Sequence, residues 1–411
     1  MIATCRWELG RMTTSLAEVV SISYEELLSP VPGPHLLALL GQAFGDSPSA
    51  LGILAVSGVP NLPPLRAQLL PMARRLASLS SIELAALECP EADYQVGWSH
   101  GREKVEGGKY DTGKGSFFFN PLTDDLLRSV LDRRRTVPAT VLPGDDALRE
   151  VAEANPAFFA PNVWPENALL DLEALAKETG LLVCKVGRLV ARLCDGYVEA
   201  RCKGYPRGRL EDVLTQSFCC KARLLHYFPA RDLPRESVAG LDQKDEDVAD
   251  ADYSSWCGWH NDHGSITGLL PAIYMNEEGE EVPCPDPNAG LYIKSRAGEL
   301  VQVSVPADSL IFQVGETAQI HTGGILQATP HAVRGCSPGA SNTNVSRETF
   351  AVFMEPEYHG DMSIPTGRTV DDTQKRETEK HLPKNVRVLR SRWRENMNFG
   401  EFSHATFKAF H

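Results

Sequence analysis

Nothing in this chain forms a basic tract. Its 41 lysines and arginines are outnumbered by 54 aspartates and glutamates, for a formal net charge of −13 over 411 residues. A phosphate-backbone partner needs clustered Lys and Arg, so nucleic acid is not expected. The same acidic balance disfavours docking on an anionic membrane, and no apolar run approaches the roughly 20 residues of a membrane-spanning helix. The N-terminus from Met1 to Leu16 has no continuous apolar core, and Arg6, Glu8 and Arg11 interrupt it, so neither a secretory leader nor a transit peptide is read there. Metal-spaced cysteine pairs are missing as well. Ten cysteines are scattered along the chain, none as C-x-x-C, and the adjacent pair Cys219-Cys220 is no zinc spacing. That scatter favours reduced, mostly buried thiols and a cytoplasmic location over a disulfide framework. Internal repeats and low-complexity blocks are also absent, which excludes solenoids and repeat arrays.

What is present suffices for a substantial core. Hydrophobic residues make up 42% and charged ones 23%, the balance of an ordinary globular chain with one large domain or two smaller ones. Residues 19–23 read as a short strand, and Tyr24 to Leu28 as a turn into helix; Leu36 to Phe44 reads as a helix and Leu51 to Val56 as a buried strand closed by Ser57-Gly58-Val59-Pro60. Leu65 to Leu79 is an amphipathic helix in which Pro71 predicts a kink or a late start. Tyr94 to Pro121, with six glycines and Phe117-Phe118-Phe119 near its end, reads as a loop that covers a pocket or anchors on the surface. Trp164-Pro165 opens a long helical run whose leucines and valines form a core-facing stripe, with Gly180 as a point of interruption. After Phe218 the pattern changes to short strands: Leu224 to Phe228, Ala289 to Lys294, Glu299 to Val303, Ser309 to Val314 and Glu348 to Met354. Their turn-separated spacing predicts an antiparallel sandwich or barrel. Acidic loops around 242–252 and 276–286 read as solvated insertions, and the tail from Tyr358 onward as polar and helical, with Arg390, Arg392 and Arg394 near Trp393.

One constellation carries chemistry. His260-Asn261-Asp262 is followed about seventy residues later by His331. Two imidazoles and a carboxylate are the donor set of a non-haem Fe(II) centre with open coordination positions. In extended chain the first and third residues of H-x-D share a face, so His260 and Asp262 can meet one metal while Asn261 points away. His263 is adjacent to Asp262 and cannot easily share its ion, and His321 is the rival to His331 for the third place. Downstream, Arg347 and Thr349 alternate onto one face of a strand. A guanidinium fork with a hydroxyl is a receptor for a carboxylate; Arg334 is the rival anchor.

In this order, the residues resemble the isopenicillin N synthase-like branch of the 2-oxoglutarate and Fe(II)-dependent dioxygenases. The likeness covers most of the chain, through the strand, turn and helix of 51–79, Trp164-Pro165, Leu291-Tyr292-Ile293, Asp308-Ser309-Leu310, Val314-Gly315-Glu316, and Gly323-Gly324 ahead of Ala328-Thr329-Pro330-His331. It implies an α+β fold with a double-stranded β-helix, or jelly-roll, core over residues 216–356. Before the core would come an N-terminal region over 1–160 and a long scaffold helix within 161–215, and after it a helical C-terminal tail over 357–411. It implies Fe(II) on His260, Asp262 and His331, with the 2-oxoglutarate carboxylate on Arg347 and Thr349. The family's Asn-Tyr-Tyr-Pro strand is His226-Tyr227-Phe228-Pro229 here. His226 and Tyr227 are therefore the further co-substrate contacts, and Phe228 replaces a hydroxyl. The implied reaction is O2-dependent hydroxylation or desaturation of a small metabolite by a monomeric enzyme, with succinate and CO2 released and ascorbate as an auxiliary reductant. An Fe(II) oxidase of the same fold that uses no 2-oxoglutarate, and a non-catalytic metal-binding module, are the alternatives.

Overall fold

The computed structural model describes residues 15–102, 110–136, 144–229, 256–336, 344–374, 381–383, 386 and 388–410. The strands are β1 Ser15–Glu18, β2 Val20–Ser23, β3 Ile53–Ser57, β4 Gly97–His100, β5 Lys114–Phe119, β6 Cys220–Tyr227 and β7 Cys257–His260. They continue with β8 Ile266–Met275, β9 Glu281–Val282, β10 Gly290–Lys294, β11 Leu300–Ser304, β12 Leu310–Val314, β13 His331–Arg334 and β14 Ser346–Met354. A five-stranded sheet runs β1-β11-β10-β13-β7, and a nine-stranded sheet runs β2-β3-β12-β8-β14-β6-β5-β4 with β9 on the side of β8. Strands from early in the chain thus complete sheets built mainly from its later half.

Period-two alternation gives the large sheet two different faces. On β14, Phe350, Val352 and Met354 are buried with Val183, Val186 and Val190 of the helix Leu172–Glu199 and with Leu69 and Leu70 of the helix Leu62–Ala77. Its opposite face looks onto the small sheet. Ile53, Ala55 and Ile311 of the large sheet pack there against Ile293 and Val303, and Leu225 and Tyr227 pack against Val333 and Trp256. The space between the sheets holds the candidate site.

Three local readings are corrected. The described part of the glycine-rich stretch is strand, not loop: β4 and β5 pair antiparallel within it, and Phe117, Phe118 and Phe119 are at most 4% exposed, while residues 103–109 lie outside the described residues. Gly115 is there because a Cβ would lie 2.2 Å from the Trp98 ring, so this glycine marks a close approach. The long helix begins at Leu172, not at Trp164; Trp164 instead packs its ring on Phe117 and Phe119 and donates its indole N–H to Asp124. β8, the central partner of both β12 and β14, was not foreseen. Its internal Pro271 ordinarily argues against a strand, and a register shift opposite Glu348/Phe350 accommodates it. The Arg66 guanidinium binds the Pro271 and Ala272 carbonyls at 2.8 and 3.1 Å, satisfying acceptors that the bulge frees.

Pro71 lies inside the helix Leu62–Ala77, and Gly180 inside Leu172–Glu199 without interrupting it. Glycine in a helix interior is usually about 1 kcal/mol worse than alanine. At 180, however, a Cβ would sit 2.4 Å from the Pro121 Cβ. Gly180→Ala is therefore expected to lose about 1–3 kcal/mol by overpacking, read as a lower urea midpoint; a gain would contradict this packing. The tail forms the helix Phe399–Phe410, but Phe399 and Phe402 are wholly buried, so it is an integral part of the fold. The nine described cysteines carry free thiols, six of them buried. The acidic stretch 242–252 lies outside the described residues. Among the described residues no helix is long and apolar enough to cross a membrane.

Candidate metal centre

β7 ends on His260 and β13 begins on His331, and the two stand opposite each other in the antiparallel register. Their ring centroids are 4.3 Å apart. His260 donates its Nδ1–H to the Gly258 carbonyl at 2.7 Å, and His331 its own to the Thr329 carbonyl at 3.4 Å. A carbonyl can only accept, so each bond places a proton on Nδ1 and leaves Nε2 as the ring atom turned to a metal. Both Nε2 atoms point at Asp262, 3.8 and 3.9 Å from Oδ1. These distances are too long for hydrogen bonds. They suit donors around one first-row dication with bonds of about 2.1 Å. The three ligand atoms lie within 4.8 Å of one another, and they are the one such group of three among the described residues.

The surroundings favour a cation at this point. Asp262 is buried, and its Oδ2 has no hydrogen-bond partner among the described residues. A carboxylate left so is costly unless a positive charge compensates it. Burial alone would lower the pKa of His260, but Cys257, with Sγ 3.8 Å from Nδ1, together with Asp262 and the Gly258 carbonyl, raises it to about 9. At His331 burial dominates, reinforced by the neighbouring His260, and the pKa falls to about 4. Burial thus keeps His331 neutral, while the groups around His260 favour positive charge there, which a bound cation would supply in place of a proton.

The competing histidines point elsewhere. His263 stacks on Phe399 at 5.9 Å and faces Glu355, with burial taking its pKa down to about 4. His321 is wholly buried and donates Nε2–H to the Asp361 carbonyl at 2.8 Å. Neither belongs to the three-donor group.

Arg347 projects from β14 into the space between the sheets. Its register partners are Tyr227 on β6 and Tyr274 on β8. The guanidinium lies 5.0 Å from the Tyr227 ring centroid and 6.0 Å from that of Trp256. It is 9% exposed, and Nε and Nη1 have no hydrogen-bond partner among the described residues. Aromatic faces hold the cation without using its N–H groups, so those donors remain for an incoming acid. Trp256 and Tyr274 were not read from the sequence; the aromatic four residues ahead of His260 was the available signal. Thr349 shares the Arg347 face, but its hydroxyl donates to the Leu270 carbonyl at 3.1 Å at the β8 irregularity. Arg334 ends β13, across from Gly290.

His226 is not brought to this space. It faces the opposite side of β6, where its Nδ1 lies 2.9 Å from Glu348, and Ser346 Oγ donates to the same carboxylate at 2.7 Å. Phe228 lies against His226 on that side, with ring centroids 4.5 Å apart. Alternation explains the exchange: with Tyr227 in register with Arg347, its neighbours 226 and 228 must face away. A His226→Leu change is therefore expected to cost stability, about 1–3 kcal/mol for leaving the buried Glu348 carboxylate with the Ser346 hydroxyl but without the imidazole. It should leave the affinity for an acid bound at Arg347 within about 2-fold of the parent, well under the 1.4 kcal/mol of a tenfold change. Chemical denaturation beside ligand titration checks both halves.

No protein-family model matches the chain, and no curated protein matches its sequence. Its fold is shared with solved structures. A candidate 2OG-Fe(II) oxygenase family protein from Caulobacter crescentus superposes with a TM-score of 0.61 at 17% identity, covering 97% of this chain and 100% of that one. A full-length Neurospora crassa protein solved with alpha-KG and 5-formyluracil gives 0.56 at 15% identity, covering 96% of each chain. JOX2, solved with 2OG, Fe and JA, gives 0.54 at 14% identity, covering 95% of this chain and 85% of that one.

Proposed function

We propose that this chain is an Fe(II)- and 2-oxoglutarate-dependent dioxygenase, of the isopenicillin N synthase-like kind, acting on a small molecule. Its catalytic core would be a double-stranded β-helix over residues 216–356. The observation that carries the reading is the coexistence, between two sheets, of the His260–Asp262–His331 donor set, with Asp262 Oδ2 unpartnered among the described residues, and the Arg347 guanidinium with unused N–H groups. His260, Asp262 and His331 would hold the metal, and Arg347, framed by Tyr227, would take the far carboxylate of the co-substrate. Fe(II) with 2-oxoglutarate and O2 supplies the oxidation of a C–H bond, with succinate and CO2 released. The protein contributes orientation and exclusion of water. Tyr227, Trp256 and Val333 form an apolar wall beside Arg347, which strengthens a charged contact made there.

The fold shared with proteins solved with 2-oxoglutarate supports this reading. Departures at His226 and Phe228 from the family's strand would favour the alternative without 2-oxoglutarate if those residues faced the site. Both side chains lie on the other face of β6 from Arg347, which favours the 2-oxoglutarate reading. The test is sequential. Mn(II) is titrated into the full chain, 2-oxoglutarate is titrated into the Mn(II)-loaded protein, and succinate is then measured with Fe(II), ascorbate and O2. Binding of 2-oxoglutarate only after metal, with slow uncoupled succinate formation, is expected. Metal uptake with no 2-oxoglutarate binding would favour the oxidase, and no metal uptake would exclude both enzymes.

A further inference from the structure

Asn261 stands between two of the three donors, and its side chain leaves the site. Its amide Nδ2 donates to Glu316 Oε1 at 3.2 Å. The same Glu316 oxygen accepts from Arg392 Nη2 at 2.6 Å, and Arg392 Nη1 donates to Thr406 Oγ1 at 2.9 Å. Glu316 and Arg392 side chains are each 2% exposed. The backbone follows the same route: the Glu316 N–H donates to the Asp262 carbonyl at 2.8 Å, and the Thr317 hydroxyl to the His263 carbonyl at 2.6 Å. His263, next to Asp262, is sandwiched by the C-terminal helix through Phe399 and Phe407. An unbroken chain of charge-assisted bonds therefore runs from Thr406 on that helix through Arg392 and Glu316 to the H-x-D turn.

We propose that Asn261, Glu316 and Arg392 are positioning residues through which the C-terminal segment sets the metal affinity of the His260–Asp262–His331 centre. The inference rests on the reading of that centre as a metal site. A turn of three residues bearing two ligands has little rigidity of its own, since β7 ends at His260 and β8 starts only at Ile266. Its aim must come from what grips it from outside. The hydrogen bonds to residues 261–263 come from Glu316 and Thr317, and Arg392 and the packing of His263 carry that hold to the C-terminal part of the chain; Glu355 at His263 and the Ser265 N–H bond to the Met354 carbonyl add a hold from the end of β14. A buried ion pair is weak evidence for stability, because the cost of desolvating it offsets much of its attraction. Its worth here is in fixing the direction of a neighbouring ligand.

Mn(II) affinity of the full chain, read by calorimetry without turnover, tests this. Asn261→Ala severs the link and leaves the Glu316–Arg392 pair intact. It should weaken Mn(II) binding about 10-fold, while the melting temperature of the metal-free protein stays at the parent value. Glu316→Gln with Arg392→Met removes both charges together, avoiding a lone buried ion, and should weaken Mn(II) to a similar degree. Parent-like Mn(II) affinity in both variants would overturn the proposal, as would a loss of affinity that merely tracks a lower melting temperature. A parent chain that takes up no Mn(II) would instead overturn the metal site itself, a result separable from the first two.

Discussion

Asp262→Ala is expected to abolish tight divalent-metal binding while leaving the metal-free protein as stable as the parent, or more so. The two halves follow from one observation. Asp262 is buried with an unpartnered Oδ2, and its Oδ1 lies 3.8 and 3.9 Å from two imidazoles without a hydrogen bond to either. Without metal, the carboxylate is desolvated and has no hydrogen bond, and its attraction for the His260 imidazole 3.8 Å away does no more than offset that penalty; once it is removed, His260 can give up its proton and leave no lone charge. With metal, it is the sole anionic donor of three. Its loss should weaken affinity by more than the roughly 10–100-fold that removing an outer hydrogen-bonding partner costs. Thermal melts separate the effects. At about 100-fold excess over Kd, metal stabilises the parent by about 2.7 kcal/mol, and the variant should show none of this. In chelator its melting temperature should equal or exceed that of the parent. A variant stabilised by metal as strongly as the parent would remove Asp262 from the site.

The donor set was legible because it is mostly local. H-x-D keeps two donors within two residues of each other, and His331 needed only one antiparallel pairing, β7 with β13, to arrive opposite His260. In His226-Tyr227-Phe228-Pro229 both His226 and Tyr227 read as co-substrate contacts, because motif likeness carries no face. A slip of one residue exchanges every inward and outward group of a strand. Only the pairing of Tyr227 with Arg347, over a separation of 120 residues, decides which of 226 and 227 faces in. The Asn261–Glu316–Arg392 link escaped for a related reason: its members lie 55 and 76 residues apart, with no periodicity connecting them. β8 and the Phe117-Phe118-Phe119 strand were hidden by Pro271 and by Gly115. Each is a residue that breaks regular structure in general and is tolerated here by one specific neighbour, the Arg66 guanidinium for the bulge and the Trp98 ring for the glycine. Helices were easier, since a core-facing stripe such as that of 172–199 repeats many times within one element.

Arg347→Met should separate the two halves of the site. Methionine keeps most of the side-chain volume among Tyr227, Trp256 and Tyr274 and needs no hydrogen bonds. The folded chain and its Mn(II) affinity are therefore expected to survive. What is lost is a buried cation whose Nε and Nη1 have no partner among the described residues. Truncating one side of a buried, hydrogen-bonded charge pair costs about 2–5 kcal/mol, which corresponds to about 30-fold to several thousand-fold in affinity. The dissociation constant of 2-oxoglutarate on Mn(II)-loaded protein should rise by that amount. Arg347→Lys should recover only part of it, because an ammonium is a point charge and cannot present the planar fork that a carboxylate matches. The aromatic cage sharpens the test. Tyr227 and Trp256 hold the guanidinium through their faces, a contact that a purely structural arginine would also make. A structural role thus predicts a fall in melting temperature with unchanged co-substrate affinity. An anchoring role predicts the reverse, and the pair of measurements decides between them.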